Sequence, residues 1–187
     1  NKIKKYQKLG DKPKKAWIFA NNINRHIAET TADEIVKFAI DNYADVIVFE
    51  YLDLKGKKKG SKKQRLALWK ARRVQELVTH KAHRSGIRIS RVNAKNTSKL
   101  AYDGSGEVKR HKDNFSICTF STGKVYNTDL NASYNIGSRY FIKEILKSLT
   151  ETERLDLEAK VPSCSKRNTC TLSTLINIYA VVNKPVC

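Results

Sequence analysis

Hydrophobic and polar positions alternate along this chain with two different periods, which together predict a mixed α/β fold. Apolar residues recur at helical spacing from Trp17 to Tyr43, which predicts one long helix or two helices broken near Thr30-Thr31. The next run, residues 45–52 with the sequence DVIVFEYL, contains four consecutive apolar residues, most of them β-branched. This composition predicts a strand buried on both faces at the centre of an α/β sheet.

The middle of the chain continues the alternation of helices and strands. Residues 64–85 follow a basic helical pattern that Gly86 ends as a C-cap, and residues 87–92 alternate strictly, as a strand does. A polar and glycine-rich region then leads into two short β-like runs, residues 107–110 and 115–120, which we interpret as a small hairpin insert. The order helix, strand, helix, strand predicts successive β-α-β crossovers.

The last third of the chain predicts two more helices. The first begins near Asp129 and runs to about Leu149, and a short apolar helix over residues 171–182 follows a polar stretch that we expect to be loosely organised. The predicted organisation is a basic linker over residues 1–16, a domain over 17–149 with its insert at about 94–126, and a C-terminal tail over 150–187 that carries the short apolar helix.

Charge points to a polyanionic partner. The 187 residues include 37 Lys plus Arg against 18 Asp plus Glu, a formal net charge of +19. Such a surplus is typical of nucleic-acid binding. The chain has no apolar run of the roughly 18 residues that a membrane span needs and no signal-peptide pattern, so we expect a cytoplasmic protein without a membrane partner. It contains no Met and begins at Asn1, so we expect a piece of something larger.

Basic side chains cluster between residues 55 and 73. A lysine-rich loop precedes the predicted basic helix, and two arginines lie on that helix. Alternatively, the lysine-rich loop is only a solvated, unstructured tether, although such a tether still attracts the phosphate backbone of a nucleic acid. The candidates for a nucleic-acid path are Lys57, Lys58, Lys59, Lys62, Lys63, Arg72 and Arg73.

The cysteines argue against a structural zinc site. Cys118, Cys164, Cys170 and Cys187 are scattered and form no C-x-x-C pair. A zinc ribbon needs paired ligands at short spacing. We therefore expect free buried thiols and no structural zinc.

Two carboxylates stand out as candidate site residues. Glu50 follows the apolar run, and the carboxyl ends of buried strands are where open α/β sheets place their sites, although a simple surface pair with a lysine is an equal alternative. Asp129 lies where a helix begins, and an N-cap is its plain alternative. Beyond it, Asn131, Asn135 and Arg139 are spaced by four residues and so share one helix face.

These elements together resemble a known family. The chain carries VIVFEYL at residues 46–52, a basic helix, NTS at 96–98, a hairpin insert and DLNASYNI at 129–136. In this order they resemble the C-terminal RuvC-like nuclease region of the transposon-associated TnpB (OrfB) proteins, which is similar to the type V CRISPR effectors. The resemblance covers roughly residues 17–149. It implies an RNase H-like mixed sheet flanked by helices, with the hairpin replacing the family's zinc ribbon.

The resemblance also implies a chemistry. In that family three acidic residues bind two divalent ions and hydrolyse DNA under the direction of a guide RNA. By match of motif, Glu50 is the second and Asp129 the third of these residues, with Mg²⁺ or Mn²⁺ as cofactor and DNA and guide RNA as partners. Asn131, Asn135 and Arg139 are expected to support the metal ligands or to contact phosphate. Carboxylates that converge on two ions about 3.5–4 Å apart are what phosphodiester hydrolysis requires.

The sequence departs from the family in two places. The opening strand that carries the first acidic residue, a G-I-D-x-G element, is not found, so either the first strands are missing from this chain or the protein has lost that carboxylate. With two of the three acidic residues, we expect this chain alone to cleave weakly or not at all. Only Cys118 remains of the zinc ligands, so we expect β pairing and packing to hold the insert. A nuclease-dead nucleic-acid-binding relative, or an inactive fragment that lacks the first carboxylate, is the alternative function.

Overall fold

The computed structural model describes residues 14–51 and 71–183, which form small sheets flanked by helices, a mixed α/β architecture. The elements in chain order are α1 Lys14–Asp41, β1 Val46–Tyr51, α2 Ala71–Arg84, β2 Arg88–Asn93, β3 Lys109–Arg110, β4 Ile117–Thr119, β5 Val125–Asn127, α3 Thr128–Ser148, α4 Glu151–Lys160, a 3-10 turn Pro162–Cys164 and α5 Leu172–Val182. None of these described helices is long and apolar enough to cross a membrane. The chain divides into two compact units; α1 and α2 belong to the first, and residues 48–51 with those from Ser90 onward form the second.

The first unit is built on a close pairing of α1 and α2. Helix α1 is uninterrupted, so the alternative of two helices broken near Thr30-Thr31 is wrong. Small side chains on one face of α1 let α2 approach, and a Lys81–Asp33 ion pair adds a polar contact at the edge of the pair. Among the described residues of this unit, those that are buried are Ala28, Ala32, Val36, Ala39, Val78, Ala82 and Ile87.

Gly86 ends α2 as the sequence predicted. Its φ of +73° lies in the left-handed region that only glycine adopts without strain. The Gly86 amide donates to the His83 carbonyl at 3.2 Å and the Ile87 amide donates to the Ala82 carbonyl at 2.9 Å. These two bonds form a Schellman motif, which satisfies carbonyls at the helix end.

Strand β1 is less buried than its apolar sequence predicts. In the described part of the chain it pairs with β2 alone in a two-stranded sheet. Its residues are half-buried from Val46 to Glu50, and Tyr51 is 63% exposed. The prediction of a central strand buried on both faces is therefore wrong for the described residues, because burial on both faces requires further elements packed around the strand.

The predicted hairpin insert is confirmed, and it gains a third strand. Strands β3, β4 and β5 form an antiparallel sheet in which Lys109 pairs with Thr119 and Cys118 with Tyr126. Strand β5 was not predicted from the sequence, because it has only three residues and runs directly into α3. A small core holds the insert together, formed by buried Ala101, Cys118 and Phe120 with Tyr102, Val108 and Tyr126 packed against them.

Helices α3, α4 and α5 enclose the main core of the second unit. Helix α4 occupies the stretch that we expected to be loosely organised, so that prediction was wrong. Its start is fixed by a capping box between Thr150 and Glu153, and only Leu157 is buried. The other buried core residues are Ile142, Val161, Cys164, Cys170, Leu175 and Ile178.

The thiols in the described part of the chain are free and buried, as the sequence predicted. These are Cys118, Cys164 and Cys170, whereas Cys187 lies outside the described residues. Burial raises the pKa of the Cys170 thiol to about 11. A buried thiol with a raised pKa behaves as a small apolar side chain rather than as a nucleophile.

Candidate functional site

Helix α3 carries a row of buried polar side chains, which we call the polar row: Asn131, Asn135 and Arg139. The predicted spacing holds, and the face that they share is turned inward. Asn131 and Asn135 are 0% exposed and Arg139 is 4% exposed. Polar groups buried this deeply need hydrogen-bond partners, and the row finds them in the protein backbone.

The two asparagines fasten a loop, residues 93–102, which we call the anchored loop. Asn131 accepts from the Tyr102 amide at 2.9 Å and donates to the Leu100 carbonyl at 2.9 Å. Asn135 donates to the same Leu100 carbonyl at 2.8 Å and to the Thr97 carbonyl at 2.9 Å. The loop backbone thus uses amide side chains in place of a neighbouring strand.

Arg139 fastens the start of the anchored loop and a second segment. Its Nη1 donates to the carbonyls of Asn93 at 2.6 Å and Lys95 at 2.8 Å. On the other side, Nη2 donates to the Asn168 carbonyl at 3.0 Å and Nε to the Cys170 carbonyl at 3.1 Å. Burial lowers the pKa of Arg139, and the nearby Cys170 and Glu50 oppose that shift.

These bonds bear on the expected role of the polar row. A direct contact with phosphate requires Asn131, Asn135 or Arg139 to leave backbone groups that are otherwise buried without a partner, which costs about 1–3 kcal/mol for each group. The structure presents them as supports of the anchored loop, and support of the metal ligands stays a prediction.

Glu50 is connected to the anchored loop through Thr97. The Glu50 carboxylate is half-buried on β1 and accepts a hydrogen bond from the Thr97 hydroxyl. Thr97 is 2% exposed, and its carbonyl is held by Asn135. The preceding Asn96 has a φ of +67°, a conformation that asparagine tolerates better than most residues. Thr97 was not predicted as a site residue from the sequence, although its place in the NTS motif at residues 96–98 was a signal.

Asp129 lies exposed on the first turn of α3 and is not the cap. Asn127 caps the helix, because its Oδ1 accepts from the Asp129 amide at 2.9 Å and the Leu130 amide at 3.0 Å. The N-cap alternative for Asp129 is wrong, since the helix begins at Thr128. Asn131 lies two positions after Asp129, about 200° around the helix, so the Asp129 carboxylate does not share the buried face. The helix dipole favours a negative charge at this turn.

The predicted nucleic-acid path is described only in part. Arg72 and Arg73 are exposed at the start of α2, and Arg73 makes a 3.4 Å ion pair with Glu76. The remaining candidates, Lys57, Lys58, Lys59, Lys62 and Lys63, lie outside the described residues.

The candidate site residues offer the type of ligand atom that a hard divalent cation prefers, but fewer ligands than such an ion needs. Glu50 and Asp129 supply the carboxylate oxygens that Mg²⁺ prefers. Beside Thr97, the Oδ1 atom of Asn135 is buried with no hydrogen-bond partner within the described ranges. Those ranges hold no group of three or more His, Cys, Asp or Glu side chains able to bind a metal. Waters or further ligands must therefore complete the coordination shell of any ion that binds to these residues.

Comparison with known proteins supports the resemblance found in the sequence. Residues 72–136 match a family described as Cas12f1-like, TNB domain. Among solved structures, the chain is similar to Cas12f1 in a complex with sgRNA and target DNA, at 26% sequence identity and a TM-score of 0.53. That match covers 72% of this chain and 39% of the Cas12f1 chain. The comparison with curated protein sequences gave no match. These findings support a relationship to the Cas12f1/TnpB-type nucleases.

Proposed function

We propose that this chain forms the C-terminal, RuvC-like part of an RNA-guided, divalent-metal-dependent DNA endonuclease of the TnpB type, encoded by a transposable element. The observation that carries the proposal is the chain of hydrogen bonds that joins Glu50, through Thr97, to the helix that also carries Asp129. Helix α3 presents Asp129 on its first turn, and the same helix fastens the anchored loop whose Thr97 hydroxyl binds Glu50.

Glu50 and Asp129 are the proposed ligands of Mg²⁺ or Mn²⁺. The ion, when bound, supplies stabilisation of negative charge on the attacking and leaving oxygens of a phosphodiester. The Thr97 hydroxyl orients the Glu50 carboxylate, and hydrogen bonds to such ligands tune metal affinity. The exposed carboxylate of Asp129 is available to a ligand from solvent, because Asn127 does the capping.

The polar row acts in this proposal by holding the anchored loop still. Asn135 fixes Thr97 through its carbonyl, and Arg139 fixes the loop where it leaves β2. A site whose supporting side chains are packed and hydrogen-bonded to the backbone keeps its ligands within the small tolerance that metal chemistry requires. The three side chains therefore contribute to ligand geometry rather than to phosphate binding.

DNA and guide RNA are the proposed partners. The net charge of +19 favours a polyanion, and exposed Arg72 and Arg73 lie in the region that matches the Cas12f1-like family. The similar Cas12f1 structure contains sgRNA and target DNA. Because this chain spans 39% of the Cas12f1 chain, the binding of guide and target that characterises a whole protein of that kind stays a proposal.

A nucleic-acid-binding relative without cleavage is the second candidate. The observation that favours it is the number of ligands, since the described residues provide no grouping of three acidic, His or Cys side chains. Two carboxylates hold a divalent ion more weakly than three, and weak metal binding leaves an RNase H-like site with little activity.

Isothermal titration with Mg²⁺ and Mn²⁺ separates the two candidates. We expect saturable binding by the wild-type chain that is lost in Asp129→Ala and in Glu50→Gln and unchanged in Asp156→Asn, a control on the exposed face of α4. The second candidate is supported instead if the wild type binds no metal but binds DNA or RNA with an affinity that falls steeply with salt.

A further inference from the structure

A cavity of about 480 Å³ lies in the second unit, beside α3 and α4. Its apolar lining, which we call the floor, consists of the aliphatic side chains of Val92, Ile142 and Leu146 and the buried thiols of Cys164 and Cys170. Neither of the proposed metal ligands, Glu50 and Asp129, lines it, and of the polar row only Arg139 does. Its volume lies within the range of about 300–1,000 Å³ that is typical of small-molecule sites.

The walls of the cavity are strongly basic. Among the described residues Glu158 is the one carboxylate that lines it, and Arg154 pairs with this carboxylate at 3.0 Å. The cationic side chains that line the cavity are Arg139, Lys143, Lys147, Arg154 and Arg167.

Much of this positive charge remains available to a ligand. Lys143 and Lys147 share a single carboxylate, Glu144, at 4.0 and 3.0 Å, and their side chains are 39% and 59% exposed. Arg167 is exposed and forms no ion pair with any residue in the described part of the chain. The rim therefore combines cations that reach solvent with an apolar floor behind them.

We propose that this cavity binds a nucleotide, with the phosphate at Lys147 and Arg167 and the sugar or base on the apolar floor. Guanidinium groups recognise phosphate through paired hydrogen bonds, and lysine adds a mobile point charge. A bare inorganic anion does not use the floor, whereas a nucleoside monophosphate uses both halves of the site and suits its volume. An acidic peptide could pair with the cations of the rim, but the floor offers its polar backbone only apolar side chains.

The test is an NMR titration of the ¹⁵N-labelled chain with 5′-AMP in metal-free buffer that contains a chelator. We expect saturable shifts at the cavity residues, with a Kd below about 1 mM. The double variant K147Q/R167Q is expected to weaken binding roughly five- to twentyfold, since each exposed ion pair is worth up to about fivefold. Lys160→Gln is the control, because this lysine lies on α4, pairs with Asp156 and does not line the cavity.

Titrations with further ligands identify which chemical group the cavity binds, and whether that group belongs to a free nucleotide or to a strand. Inorganic phosphate is expected to bind at least about fivefold more weakly than 5′-AMP, because the floor contributes nothing to it. A 5′-phosphorylated oligothymidylate that binds more tightly than 5′-AMP identifies a nucleotide within a strand, and the reverse order identifies a free nucleotide. Either order supports the nucleotide assignment.

Three results overturn it: no shift at the cavity residues up to about 10 mM 5′-AMP, equal affinity for inorganic phosphate and 5′-AMP, or tighter binding of a glutamate-rich peptide. The Glu50→Gln variant is tested in the same titration, so that failure of the nucleotide proposal can be distinguished from failure of the endonuclease proposal. That variant is expected to bind 5′-AMP normally while losing any metal site.

Discussion

Replacement of Arg139 by methionine should destabilise the chain strongly, because this side chain fastens two backbone segments to α3. Its guanidinium donates to four carbonyls, those of Asn93, Lys95, Asn168 and Cys170. Methionine fills similar space but leaves these carbonyls without their donors. Each buried carbonyl that loses its hydrogen-bond donor lowers the free energy of unfolding by about 1–3 kcal/mol. The loss is partly offset, because the methionine variant no longer has the cost of several kcal/mol for removing a buried charge from water. We estimate a net loss of about 3–5 kcal/mol.

Urea unfolding measures this loss directly. With a slope of about 2 kcal/mol/M, a loss of 3–5 kcal/mol lowers the unfolding midpoint by roughly 2 M, a large fraction of the stability of an ordinary domain. Arg154→Met is the matched control, since Arg154 makes one exposed ion pair with Glu158 and its loss should cost less than about 1 kcal/mol. Arg139→Lys should also lose about 2 kcal/mol or more, because one ammonium group does not reach all four carbonyls.

If Arg139→Met lowers the free energy of unfolding by less than about 1 kcal/mol, the anchoring role of Arg139 is contradicted. That result means that the buried guanidinium and an apolar side chain are equivalent here, and that the anchored loop is held by other contacts. Full stability in Arg139→Lys instead means that the charge, rather than the arrangement of the five guanidinium N–H groups, is what the site needs.

Three further predictions test the thiol and the loop. Burial raises the pKa of Cys170 from an ordinary value near 9 to about 11, so the unfolded chain releases this proton at lower pH than the folded chain. Stability should therefore be fully present below pH 9 and fall by up to about 2–3 kcal/mol as the pH rises through 11, a loss that urea unfolding of Cys170→Ala should not show. Thr97→Val should weaken any metal binding at Glu50 about 10- to 100-fold in titration calorimetry, with Thr97→Ser nearly normal; equal binding by both variants contradicts the role of the hydroxyl. Asn96→Val should lower thermal stability by about 1–3 kcal/mol because of its positive φ, whereas Asn96→Gly should be tolerated, and a stable valine variant argues against the left-handed conformation.

The sequence predicted which residues of the candidate site share a helix face better than it predicted the hydrogen-bond partners of those residues. The spacing of Asn131, Asn135 and Arg139 predicted a shared face, because that follows from helix geometry alone. It did not predict that the face is buried, since the partner carbonyls lie 29–46 positions away along the chain. Thr97 was missed for the same reason, because its hydroxyl binds Glu50 at a separation of 47 residues.

Two errors elsewhere have different physical causes. The apolar run of β1 predicted burial on both faces, but burial depends on which elements pack around a strand, and these are not encoded within the run itself. Helix α4 was missed because its composition is polar. Its signals were nevertheless local: Thr150 and Glu153 form a capping box, and Arg154–Glu158 is an i,i+4 ion pair.

The most direct test of the proposed metal site is paramagnetic broadening by Mn²⁺ in NMR spectra of the ¹⁵N-labelled chain. The proposal predicts saturable broadening confined to amides near Glu50, Thr97 and Asp129, and its loss in both Glu50→Gln and Asp129→Asn. Uniform broadening, no localised broadening up to about 10 mM Mn²⁺, or localised broadening that persists in both variants contradicts the assignment of these two carboxylates as metal ligands.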